Sequence, residues 1–161
     1  SQYAKPEFDT AQMRQIKLGL EDNLDVSIYA KPEFKYAQMR LIRLCLKHKI
    51  DFSIFLDKSF NGNQVEQIRY GLEDNLDVSI YAKPEFDEYQ MNVIRFGLKQ
   101  KLDVSIYATP EFNDMQMNQI RAGLFEEIKV SVYAKPKMDF QEMMQIRVKL
   151  LRKKMNHEKT T

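Results

Sequence analysis

The sequence contains a single cysteine, Cys45, among 161 residues. That excludes an intramolecular disulfide and fits a reducing compartment, so a cytoplasmic location is expected. No apolar run approaches the roughly 18 residues that a membrane helix requires, and the first residues do not read as a signal peptide. Neither sign of charge dominates. The net charge is +2, too small for a global field that would drive the chain onto nucleic acid or an anionic membrane. No stretch is of low complexity, and no Pro/Gly/Ser linker splits the chain, so residues 1–161 are expected to form one domain. The phosphate-cradling, dinucleotide, nucleophile-elbow and zinc-protease motifs are missing. His48 and His157 have no Cys or second His at metal-ligand spacing and are expected to be solvated. These absences predict no catalytic residue, no metal and no cofactor.

What is present is repetition. YAKPEF begins at Tyr3, Tyr29 and Tyr81, YATPEF at Tyr107 and YAKPKM at Tyr133, and the degraded copy FLDKSF begins at Phe55. The period is 26 residues without insertions, giving units 3–28, 29–54, 55–80, 81–106, 107–132 and 133–158. A fixed period of this kind means a solenoid, in which each unit buries its apolar face on its neighbours.

The first unit shows what each copy builds. Asp9 reads as a helix N-cap and Gln12 closes a capping box, while Phe8 can staple onto Met13. The pattern recurs at Asn61, Asp87 and Asn113, and Asp139 pairs with Glu142; Lys35 is a poor cap. Met13, Ile16 and Leu20 fall on one helix face. The matching triplets are Met39/Ile42/Leu46, Val65/Ile68/Leu72, Met91/Ile94/Leu98, Met117/Ile120/Leu124 and Met143/Ile146/Leu150. The helix should stop near Asp22, with Asn23 taking the left-handed turn position.

A second, shorter element follows in Leu24–Ala30. Asp25 can cap it, as Asp51, Asp77 and Asp103 can cap its later copies, and Leu24 can staple onto Tyr29. Pro32 must end it. The repeated phrase therefore ends the short element, turns the chain and delivers Phe to the next long helix. We read the short element as helical. The alternative is a strand, since Val-Ser-Ile-Tyr has strand propensity, and that would give a strand–helix solenoid. The predicted fold is all-α: an α-solenoid of six helix–turn–helix repeats.

Gly19, Gly71, Gly97 and Gly123 sit inside the long helix, where glycine costs roughly 1 kcal/mol relative to alanine. A neighbour must approach closely there. Cys45 holds the slot in the second unit as a small packed thiol, and Lys149 holds it in the sixth. That unit turns polar and loses the LDVS phrase, so it reads as a C-terminal cap with a frayed tail. Ser1-Gln2-Tyr3 starts inside a unit and without an initiator Met, so the chain is expected to be a piece of something longer.

The phrase F-D-x-x-Q-M-x-x-I-R-x-G-L followed by L-D-V-S-x-Y-A resembles a 26-residue tandem helical repeat of bacterial proteins, chiefly of anaerobic Firmicutes, often encoded in mobile genetic elements. The resemblance spans almost the whole chain; FLDKSFNGNQ and the end of the sixth unit depart from it. It implies an intracellular repeat array and carries no activity.

Two sets of slots remain as functional candidates. Lys17, Arg43, Arg69, Arg95, Arg121 and Arg147 follow the core Ile in each unit. They form a ladder at roughly 10 Å spacing, either tracking phosphates of a single-stranded nucleic acid or lying at the core edge paired with carboxylates. Other slots vary between copies: Thr10/Tyr36/Gly62/Glu88/Asp114/Phe140, Ala11/Ala37/Asn63/Tyr89/Met115/Gln141 and Leu18/Leu44/Tyr70/Phe96/Ala122/Val148. The last stays apolar and is either packed between units or exposed. If exposed, Leu44, Tyr70, Tyr89 and Phe96, extended by Tyr36, form a strip suited to a peptide or protein partner. The expected function is a non-catalytic scaffold for protein–protein interaction. The alternatives are a nucleic-acid-binding array and an accessory domain of a larger mobile-element protein; no membrane partner is expected.

Overall fold

A computed structural model describes residues 7–56 and 59–158. The first copy of the phrase up to Pro6, Asp57 and Lys58 in its degraded copy, and the last three residues of the tail lie outside the described residues. Six long helices begin 26 residues apart: α1 (Thr10–Glu21), α2 (Tyr36–Lys47), α4 (Gly62–Glu73), α5 (Glu88–Lys99), α6 (Asp114–Phe125) and α7 (Phe140–Glu158), with a four-residue helix, α3 (Ser53–Leu56), after α2. No strand occurs among the described residues. The chain forms two compact units, residues 1–61 and 62–161. In the first, α1 packs on α2; in the second, α4, α5, α6 and α7 pack on one another in chain order. The fold is thus all-α, with the sequential packing of a helical solenoid.

Both ends of the long helices follow from local chemistry. The carboxylate of Asp9 accepts from the Gln12 N–H at 2.8 Å, and the Gln12 side-chain oxygen accepts from the Asp9 N–H at 2.8 Å. Asp87/Gln90 and Asn113/Gln116 close the same box. Lys35 supplies no side-chain acceptor, and there only the Gln38 oxygen contributes, at 3.0 Å from the Lys35 N–H. At the other end Asn23 is left-handed, with φ 55°. Its N–H donates to Leu20 and the Leu24 N–H donates to Gly19, the two bonds of a Schellman close. Lys49, Lys101 and Glu127 adopt the same conformation, at about 1 kcal/mol each for a residue with a Cβ. The two hydrogen bonds and the half-buried apolar residue that follows offset this cost.

The short element is helical rather than a strand. Val26–Ile28, Val78–Ile80, Val104–Ile106 and Val130–Val132 are single turns of 3₁₀ helix, and the copy at Ser53–Leu56 is one turn of α-helix. Too few residues separate the left-handed position from the proline to nucleate an α-helix. The caps are as expected: the Asp25, Asp51, Asp77 and Asp103 carboxylates accept from the N–H two residues on, at 2.9–3.2 Å. The proline then opens a tight turn. The Phe34 N–H donates to Lys31 at 3.0 Å, with Pro32 at the position whose φ its ring already supplies.

In the first unit the core is Phe8, Ile16, Val26, Tyr29, Met39 and Ile42, with Met13 and Phe34 packed against it. In the second it is Ile68, Leu72, Val78, Tyr81, Phe86, Met91, Ile94, Val104, Tyr107, Phe112, Met117, Ile120, Val130, Tyr133 and Met143. Leu20 departs from the predicted stripe and is exposed. The phrase-opening tyrosines Tyr29, Tyr81, Tyr107 and Tyr133 are fully buried and explain the glycine slot. A Cβ on Gly19 would lie 1.8 Å from the Tyr29 hydroxyl. That hydroxyl donates to the Gln15 carbonyl at 3.1 Å, so it is pinned on the helix backbone. Tyr81 and Tyr133 donate likewise to Gln67 and Gln119. In the second repeat the slot holds Cys45 and the tyrosine is replaced by Phe55. The larger side chain in the slot therefore goes with the ring that lacks a hydroxyl. Burial and the Asp51 charge push the Cys45 thiol up to about 12, as befits a packed residue.

The capping glutamines do a second job. Gln12 Nε2 donates to the Phe34 carbonyl at 2.8 Å, Gln64 to Phe86 at 2.6 Å, Gln90 to Phe112 at 2.7 Å and Gln116 to Met138 at 2.7 Å. Each buried amide ties its own helix start to the start of the next. Gln90→Ala is expected to cost about 2–4 kcal/mol, because it strands the Asp87 N–H and the Phe112 carbonyl. Gln38→Ala, at an exposed amide with the capping bond alone, should cost about 1 kcal/mol or less. Urea unfolding of both variants checks this; equal losses would mean that the second bond contributes nothing.

The last helix lacks these receiving features. Glu142 replaces the clamping glutamine, Lys149 the glycine and Arg152 the acid found at Asp22, Asp74 and Glu126. A further repeat docking there would meet a lysine stem in place of the tyrosine seat and a cation facing its own arginine.

Candidate functional site

The arginine ladder runs along helix faces that the packing partly covers. Lys17 is the exception, with a side chain 77% exposed and Glu21 at 3.7 Å. Arg43, Arg69 and Arg95 are buried, while Arg121 and Arg147 are half-buried. A rule governs their partners. Arg43 donates to Gln15 at 3.0 Å and pairs with Asp22 at 3.5 Å. Arg95 donates to Gln67 at 3.2 Å and pairs with Asp74 at 3.7 Å. Arg147 donates to Gln119 at 3.1 Å and pairs with Glu126. Each acid lies 21 residues before its arginine. At that spacing Arg121 finds Gln100, which accepts at 2.7 Å beside Asn118 at 2.8 Å. For Arg69 the residue at that spacing is His48, a helix C-cap whose backbone N–H bonds its own helix. Arg69 instead binds Glu66 and Glu73 on its own helix.

Of the varied slots, Tyr36, Tyr70, Tyr89 and Phe96 are exposed, Tyr89 most of all at 65%. Leu44 is not: it is 5% exposed, and the strip as predicted is corrected at that position. The side chains at this slot differ in reach. A leucine ends close to its own helix, whereas the rings of Tyr70 and Phe96 extend over the guanidinium groups beside them. Arg69 lies 4.3 Å from the Tyr70 ring centre, and Arg95 lies 5.3 Å from Tyr70 and 4.7 Å from Phe96. Arg95 is thus within cation–π range of two rings. The ladder and the aromatic strip, read separately in the sequence, are one feature in the second unit. Tyr36 belongs to the first unit, where its hydroxyl accepts from Arg40 at 2.9 Å.

Sequence reasoning passed over one varied slot. Arg14, Arg40, Glu66, Asn92, Asn118 and Met144 stand four residues after the first varied position, on the same side of each helix. The signal was the spread of residue types in the repeat register. Arg14 and Arg40 line a groove of about 460 Å³ between α1 and α2, together with Thr10, Leu18, Tyr36 and Arg43.

These features define an all-α protein of tandem helical repeats with a varied, partly aromatic face. No family model, curated protein or solved structure matches the chain. Among the described residues no helix is long and apolar enough to cross a membrane.

Proposed function

We propose that this protein is a non-catalytic repeat scaffold for protein–protein interaction, and that Tyr70, Tyr89 and Phe96 on the second unit carry the partner contact. One observation supports this most. Tyr70, Tyr89 and Phe96, at slots that differ from copy to copy, stand in solvent, Tyr70 and Phe96 over arginines, whereas the caps, clamps and core that hold the fold repeat. Tyrosine and arginine are the residues that most often anchor interfaces. Tyr36 adds a contact on the first unit. The resemblance to bacterial mobile-element repeats fits a cytoplasmic module that works within a larger protein.

The nucleic-acid reading fares worse on the same observations. Arg43, Arg69, Arg95 and Arg147 each face a carboxylate, so phosphate binding would first have to break an ion pair in a partly buried place.

The test is a double variant, Tyr89→Ala with Phe96→Ala. The melting temperature should stay within a few degrees, since exposed side chains contribute little to stability, while retention of a protein partner from cell lysate is lost. Retention unchanged at unchanged stability would overturn this face as the binding surface.

A further inference from the structure

α7 packs on α6, and it carries the slots through which α1, α4, α5 and α6 receive the next helix. In the repeats those slots follow a charge rule. Gln15 and Asp22 on α1 take Arg43 of α2, Gln67 and Asp74 on α4 take Arg95 of α5, and Gln119 and Glu126 on α6 take Arg147 of α7. Tyr29, Tyr81 and Tyr133 fill the glycine slot of the same helices. On α7 these slots hold Gln145, Arg152 and Lys149. The glutamine is kept, the acid has become a cation, and the glycine has become a second cation. All three are exposed, and with Met144 and Val148 they line a hollow of about 390 Å³. Neither Lys149 nor Arg152 has a hydrogen bond or ion pair among the described residues. They stand three residues apart, a spacing at which like charges on a helix repel.

We propose that this face of α7 binds an amphipathic helix of a partner protein, one that presents carboxylates to Lys149 and Arg152 and an apolar side chain to Met144 and Val148. The occupant follows from the charge rule. Where the receiving slot is acidic the incoming side chain is a cation, so a cationic slot calls for an anion. In each repeat pair within a unit the element that packs on these slots is a helix, and apolar residues at i and i+4 beside charged ones are what an amphipathic helix packs against. Gln145 suits either sign, since its amide offers a donor and an acceptor. A second copy of this chain docking through α1 would bring Lys17 against Arg152, cation to cation. A nucleic-acid strand requires a continuing cationic track. Here Glu142 stands on the same side of the helix two turns before Lys149, and Arg147 is already paired with Glu126. This surface is additional to that of Tyr70, Tyr89 and Phe96 and does not depend on it.

The experiment uses the full chain and a fluorescein-labelled helical peptide with glutamate and leucine along one face and alanine elsewhere. The comparators are the same peptide with lysine in place of glutamate, and single-stranded oligothymidine. By anisotropy the acidic peptide should bind, more weakly as salt is raised, and each comparator should bind at least tenfold less tightly. Lys149→Glu with Arg152→Glu, both at exposed positions, should leave the circular dichroism spectrum unchanged, weaken the acidic peptide tenfold or more, and make the lysine peptide the tighter ligand. Tyr89→Ala with Phe96→Ala should leave these affinities as they are; a loss there would put the peptide on the other face and overturn the proposal. It is equally overturned if the acidic peptide does not bind, if the charge-reversed variant does not switch its preference, or if oligothymidine binds more tightly. Sedimentation tests the second copy: a dimer of the parent protein that the charge-reversed variant abolishes would make this face a self-contact and sink the partner helix.

Discussion

Gly97→Leu is expected to destabilise the second unit by several kcal/mol, although leucine is the better helix former by nearly 1 kcal/mol. Even the first atom of the new side chain would sit 1.9 Å from the Tyr107 hydroxyl and 2.8 Å from a Val104 methyl. Overpacking of a closed core commonly costs about 1–3 kcal/mol, and leucine adds three carbons beyond that first atom. Lys149→Leu, at the same slot of α7, should change stability by about 0.5 kcal/mol or less, since that residue is exposed. A second pair isolates the cause. Gly97→Ala alone should cost about 2 kcal/mol, and adding Tyr107→Phe should restore part of it. Val104 still crowds the site, so the recovery is incomplete. Tyr107→Phe by itself should be close to neutral, because its buried hydroxyl has no hydrogen-bond partner among the described residues. Denaturant titration of the parent protein, the two single variants and the double variant gives the cycle. Additive effects of Gly97→Ala and Tyr107→Phe would show that the hydroxyl is not what excludes a side chain. The chain already contains the compensated pair, Cys45 with Phe55.

Alkaline pH should unfold the protein steeply. Burial, opposed by the Arg43 charge and aided by Asp22, pushes the Tyr29 phenol up to about 12. Tyr133 rises to about 12 for the same leading reason, and burial raises Tyr81 and Tyr107 further. A phenol in an unfolded chain titrates near 10. The sign follows from proton counts: above about pH 10 the unfolded chain releases protons that the folded one keeps, so stability falls as pH rises. Below pH 10 the contribution is complete. A shift of two units is worth about 2.7 kcal/mol per residue at most. Four such residues reach the size of a typical domain's whole stability. Helix content followed by circular dichroism should therefore collapse between about pH 10 and 12, together with a cooperative rise in tyrosinate absorbance. Full tyrosinate formation with helix content intact would contradict the burial of these rings as the source of the effect.

Much of this structure can be read from the letters because its determinants are local. The period places each helix start, and an Asp or Asn with Gln three residues on closes the N-terminus within one turn. Asn23 in the left-handed turn, the Asp caps on the short segments and a close approach at Gly19, Gly71, Gly97 and Gly123 also follow from neighbouring residues. Distance along the chain decides what does not. Gly19 announces that something comes close, yet the Tyr29 hydroxyl, ten residues on, reaches it only after a 3₁₀ turn whose type depends on how few residues precede the proline. The clamp from Gln12 to Phe34 spans 22 residues and leaves no periodic trace beyond the capping box that already explains the glutamine.

The varied face shows the same division. Its slots can be listed from the repeat register alone, because variation between copies needs no coordinates. Which of their side chains stand in solvent was decided by packing. Leu44 and Phe96 occupy one slot and are both apolar, but the first is covered and the second lies over an arginine. The ladder likewise fixes where each cation begins, whereas the group at its tip depends on which residue the neighbouring helix presents: Asp22 for Arg43, Gln100 for Arg121, and for Arg69 two glutamates of its own helix. Sequence determined the repeating frame because its rules act within a turn or two of chain. Tertiary structure alone decided burial and charge pairing, because those depend on surfaces brought together from about 20 residues apart and more.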